Sequence, residues 1–174
     1  MSPARTLADR FRKQRTERIR VDDIEVLSVV ELFLRPTSSI ELIIERQRND
    51  VAQGLSIRSR TQAARVVAVD ADETERSAVE LIEIESSAAT RIEVAGDDEN
   101  ETVLQLWNTW TADAKGNAWT GNSGIIVEDL QAPPGANLRF RMWCSDGFGD
   151  ASFDDLVVLA TVGERTPKIG ASHL

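Results

Sequence analysis

Four carboxylates and a hydroxyl fall within ten residues near the carboxyl end: Asp146, Asp150, Ser152, Asp154 and Asp155, in the run Asp-Gly-Phe-Gly-Asp-Ala-Ser-Phe-Asp-Asp. Carboxylates this close repel one another unless water or a cation screens them. A hard cation such as calcium takes roughly 6–8 oxygen ligands, and a loop containing Gly147 and Gly149 can turn tightly enough to present several. The five side chains are therefore candidate ligands for a Ca2+ ion. The spacing is not that of an EF-hand, which closes with a glutamate at its twelfth position. The competing reading is a hydrated acidic turn whose aspartates accept hydrogen bonds from local N–H groups.

A second acidic run, Asp97, Asp98 and Glu99, supplies secondary metal candidates that would share an ion if both loops met at one pole. All four tryptophans lie between 107 and 143. Trp119 sits in a polar, glycine-rich stretch with Asn117 and Asn122. A ring flanked by amides suits carbohydrate, whose apolar face stacks while its hydroxyls bond the amides. Packing at a loop base is the alternative. Trp107 and Trp110 are three positions apart, so a strand sends them to opposite faces. Trp143, in the alternating run Phe140–Cys144, is expected in the core.

The Asp-Gly to Asp-Ala-Ser-Phe-Asp-Asp-Leu-Val-Val segment resembles the acidic loop and following strand of calcium-dependent bacterial lectins of the fucose-binding type. It is also similar to segments of other calcium-binding β-sandwich modules. The resemblance implies metal roles for Asp146, Asp150, Asp154, Asp155 and, less directly, Ser152, with the ion contacting sugar hydroxyls. The chain departs from those lectins in its long basic amino end.

Enzyme chemistry is not expected. The only histidine, His173, is the penultimate residue, whereas a catalytic imidazole needs a fixed orientation. Cys144, the single cysteine, lies in an apolar strand and reads as a small core residue. One Cys and one His exclude a disulfide framework and the usual structural zinc site. There is no P-loop and no dinucleotide fingerprint. Paired carboxylates could in principle hydrolyse a glycoside, but acidic residues are too abundant to single out a pair.

The net charge of −9 conceals a split. Residues 1–20 carry seven basic groups against Asp9 and Glu17, a net of +5, and the remaining 13 basic and 27 acidic groups give −14. Arg10, Arg12, Lys13, Arg15 and Arg18 are the candidate contacts of a basic arm with a polyanion or an acidic partner. Nucleic acid is expected only through this arm. A homo-oligomer is expected, and a shell or assembly subunit is the alternative to a binding module for carbohydrate or a protein surface. Apolar runs are far shorter than a membrane span, and no secretory leader is visible. This points to the cytoplasm or to export by a non-classical route.

The elements that must position these groups read as strands. Tyrosine is absent and phenylalanine numbers five, so the core must be aliphatic, which favours β-structure. Apolar runs alternate with turn signals every 8–12 residues, the rhythm of an antiparallel β-sandwich, here jelly-roll-like. Ile24–Leu34 and Ile40–Glu45, joined by Pro36–Ser39, predict a hairpin. Leu138–Cys144 and Asp155–Val162 predict two later strands. The expected organisation is an arm over 1–20, helical or disordered, a β-domain over 21–163 and a tail over 164–174.

Overall fold

The computed structural model describes residues 7–36, 38–49, 53–60, 65–69, 75–78, 89–95, 101–111, 119–121, 124–131, 133–134, 137–147 and 151–164. The chain is all-β with antiparallel sheets, apart from one short helix among the described residues, α1 (Leu7–Gln14). The strands are β1 (Arg18–Val21), β2 (Ile24–Leu27), β3 (Val30–Leu34), β4 (Ser38–Gln47), β5 (Gln53–Ser59), β6 (Arg65–Val69) and β7 (Glu75–Ala78). They continue as β8 (Thr90–Ala95), β9 (Thr102–Thr111), β10 (Trp119–Gly121), β11 (Ile125–Asp129), β12 (Leu138–Cys144) and β13 (Leu156–Glu164).

Nine strands form one sheet in the order β1-β2-β11-β12-β13-β4-β8-β6-β7. A four-stranded sheet is built on β9, with β5 on one side and β3 and β10 end to end on the other. Alternation decides which side chains face inward. Ile40, Leu42, Ile92 and Leu156 of the large sheet share a cluster with Leu55, Ile57, Leu104 and Leu106 of the small one, all with no exposed surface.

Two details depart from the sequence expectation. β3 and β4 do not form a hairpin. β3 pairs with β9 in the small sheet, while β4 pairs with β13 and β8 in the large one. The turn at Arg35–Ser38, closed by Ser38 N–H to the Arg35 carbonyl at 2.9 Å, is where the chain changes sheet. Trp143 is not in the core. Phe140, Met142 and Cys144 take the inward positions of β12, which leaves Trp143 half-buried on the outer face, its Nε1 donating to Glu128 at 2.9 Å. The true hairpin near the amino end joins β1 to β2 through Asp22 (φ 48°) and Asp23 (φ 66°), the two positive dihedrals of a type I′ turn.

α1 is held by its Leu7 and Phe11, one turn apart, which bury against Ile19 and Val26 with Val21, Ile126 and Phe153 around them. Arg15 ends it at φ 51°, and Thr16 N–H bonds back to the Phe11 carbonyl, a Schellman-type stop. Gly124, at φ 152°, makes room for the helix. A Cβ there would stand 2.8 Å from Leu7 Cδ1 and 2.9 Å from Val26 Cγ1.

Candidate functional site

The acidic loop begins where β12 ends and returns into β13. Asp146 is 1 % exposed and Asp155 7 %. Neither carboxylate is left to water. Asp155 Oδ2 accepts the Asp146 N–H at 3.0 Å, and Arg48 Nη1 lies 2.7 Å from Asp146 Oδ2 and 3.7 Å from Asp155 Oδ1. The Arg48 N–H also donates to the Asp155 carbonyl at 2.9 Å. Asp154 points the other way, more exposed, with Arg46 Nη1 at 2.8 Å and a short hydrogen bond from the Ser152 hydroxyl.

A bulge in β4 brings Arg46 and Arg48 here. Val158 faces Ile44, but Val157 faces Arg46, so one residue is inserted opposite β13. A one-residue slip flips every later side chain to the other face. Gln47 thereby opposes buried Leu156, and Arg46 and Arg48 are turned away from the core toward the loop.

Each carboxylate responds to its surroundings. Burial is the main cause that pushes Asp155 above the usual carboxylate range, reinforced by the neighbouring Asp146 charge. The Ser152 hydroxyl, then Arg46, holds Asp154 below it. The signs are opposite. Asp155 contributes stability that is present below its unfolded value of about 3.9 and lost as pH rises through its raised folded value. Asp154 contributes stability present above its unfolded value and lost as pH falls through its depressed folded value. Relative to wild type, as pH rises from about 2 to 7, Asp155→Asn should therefore gain melting temperature, mostly above about pH 4, and Asp154→Asn should lose it, mostly below about pH 4. Parallel melts across that range check the assignment, and slopes of the same sign would refute it.

Among the described residues no group of three His, Cys, Asp or Glu side chains is gathered so as to hold a metal ion. The guanidinium of Arg48 lies between the Asp146 and Asp155 carboxylates. Asp150 lies outside the described residues, as do Asp97, Asp98, Glu99, Asn117 and Asn122. β8 ends and β9 begins at the pole away from Asp146, about 20 Å along β9 from Thr102 to Asn108, which bonds Ser145.

The Trp119 strand and the acidic loop do come together. β10 pairs with Thr109–Thr111 at the end of β9, and Ser145 N–H donates to the Gly124 carbonyl at 2.9 Å. The inward face turns polar at this pole. Asn108, 1 % exposed, gives its Nδ2 to the Ser145 carbonyl at 2.9 Å, while its Oδ1 has no hydrogen-bond partner among the described residues. Gln53, 3 % exposed, sits diagonally across on β5, and its Nε2 likewise has none among the described residues. Gln53, Asn108, Arg46 and Arg48 were not among the candidates that the sequence offers. Of these only Asn108 carried a signal, as an amide on the apolar face of a strand.

The arm residues are largely engaged within the chain. Arg12 pairs with Asp9 at 3.1 Å, Arg18 lies in β1 and pairs with Glu25 at 3.2 Å, and Arg10 donates to the Arg20 carbonyl at 2.6 Å. Lys13 and Arg15 are exposed. Cys144 is buried, and burial raises its thiol far above the ordinary range. No helix of the described residues is long and apolar enough to cross a membrane. Comparison with protein-family models, curated proteins and solved structures returned no match.

Proposed function

We propose that the chain is a non-enzymatic binding module, a jelly-roll-like β-sandwich that recognises carbohydrate hydroxyls at the pole where β9 and β12 end. The reading rests on the two buried amides. Gln53 presents a donor and Asn108 an acceptor, both without a hydrogen-bond partner among the described residues. A buried polar group without a partner costs about 1–3 kcal/mol, so two of them on diagonal positions of β5 and β9 are suited to a polar ligand. A hydroxyl is at once donor and acceptor, and one hydroxyl between them satisfies both. The strand bearing Trp119 pairs with the end of β9 at this pole.

In this reading calcium is dispensable, because Arg48 already balances the buried aspartates. Excess chelator is expected to leave the melting curve unchanged; a fall of several degrees would make calcium a ligand of the native state after all. The decisive variant is Gln53→Leu, which removes the orphan donor while keeping an apolar side chain of similar size. Melting temperature should hold or rise, and binding of the best saccharide from a glycan screen should weaken about tenfold or more. Undiminished binding by the variant, or no saccharide bound by the wild type, would refute the reading.

A further inference from the structure

A second recess lies far from that pole, on the outer face of the nine-stranded sheet. It encloses about 500 Å³, a size that holds small ligands. Ile43 and Leu159, register partners on β4 and β13, form a half-buried aliphatic floor. Leu130 and Pro133, from the connection between β11 and β12, wall one side. Asn137 is laid over Gly163, its Nδ2 only 3.1 Å from where a Cβ would stand, so the glycine lets this amide close the end of the recess.

Neighbouring charges on this face are already paired. Arg141, beside the recess, is bonded to Glu45 at 2.6 Å and to Glu128 at 3.0 Å. Arg91, the register partner of Glu41, gives its guanidinium to Glu93 at 2.9 Å. Glu41 and Arg139 line the recess from opposite sides, on β4 and β12, with Thr161 of β13 between them in the same row. Both are exposed, and neither has an ion-pair partner among the described residues. Their strands are separated by one strand, about 10 Å from backbone to backbone.

We infer that this recess is a second binding site, and that it takes a short peptide with both ends free. An ammonium meets Glu41, a carboxylate meets Arg139, and an apolar side chain lies on Ile43 and Leu159. A purely anionic ligand would be opposed by Glu41 and a purely cationic one by Arg139. Opposite charges on one ligand satisfy both with charge-assisted hydrogen bonds. The separation sets the length. Two extended residues span about 7 Å, whereas the two charges of a free amino acid sit on a single carbon.

The test is calorimetric titration of the full chain with alanyl-leucine, its N-acetylated form, its C-terminal amide, and free leucine, at low salt. Capping either end should weaken binding about tenfold or more. Glu41→Gln should reproduce the loss caused by acetylation and cost the acetylated peptide nothing further. Arg139→Gln should do the same for the amide. Both positions are exposed, so the variants are expected to fold, and an unchanged melting temperature verifies it. Capped peptides binding as well as the free one, free leucine binding as tightly, or no binding of alanyl-leucine at millimolar concentration would each overturn the assignment. The site is independent of the buried amides, so Gln53→Leu should leave it unaltered.

Discussion

Arg48→Met should lower the stability of the folded chain by about 3 kcal/mol at pH 7, a fall in melting temperature of roughly 10 °C for a chain of this size. Asp146 and Asp155 are buried, and Arg48 is the cation between them. Methionine keeps much of the side chain's bulk and removes only the charge and its donors, so two buried carboxylates lose the guanidinium that lies between them. The deficit should shrink on acidification, because protonating Asp155, already pushed upward by burial, removes part of the repulsion. Arg46→Met is the control. Its bond to Asp154 joins two largely exposed groups and should contribute under about 1 kcal/mol. Equal effects from the two variants would mean that burial does not govern this loop.

Gly124→Ala should cost about 3 kcal/mol and release the amino-terminal helix. Two effects add. A residue with a side chain at φ 152° is strained by about 1–3 kcal/mol. The new methyl would also stand within 3 Å of Leu7 and Val26, closer than carbon atoms tolerate. Val26 is fixed in a strand, whereas Leu7 belongs to a helix of 8 residues held by two side chains. The least expensive relief is therefore for α1 to lift away. Limited proteolysis should cut the variant near residue 15 much faster than wild type, with a lower melting temperature. Gly163→Ala is the contrast, since its nearest neighbour is the movable amide of Asn137 at 3.1 Å, and a change below about 1 kcal/mol is expected. Unchanged protease resistance in Gly124→Ala would show that the helix is not held at this contact.

Much of the β-structure was legible in the chain. The alternation in Leu138–Cys144 gave β12 to the residue. Alternation reports local conformation and says nothing about which strand lies alongside. The run before Pro36 and the run after it therefore looked like partners although they belong to different sheets. Trp143 was misplaced because residue type was allowed to outweigh parity: with Phe140 and Met142 inward, its neighbour had to face out. The loop aspartates stood out in the sequence, but their partners did not. Arg46 and Arg48 face the loop only because a bulge, invisible in one strand alone, reverses the parity of β4. Gln53 and Asn108 are 55 positions apart and become neighbours only through the register of β5 on β9.

The pairing of β4 with β13, Ile40 beside Val162, joins segments from opposite ends of the chain. During synthesis the first half of the molecule thus leaves the ribosome with a hydrophobic strand whose neighbour has not yet been translated. The large sheet can close only after β13 has emerged. A nascent chain stalled before that point would display Ile40, Leu42 and Ile44 to its surroundings, which makes this a fold whose early history depends on being kept from aggregating.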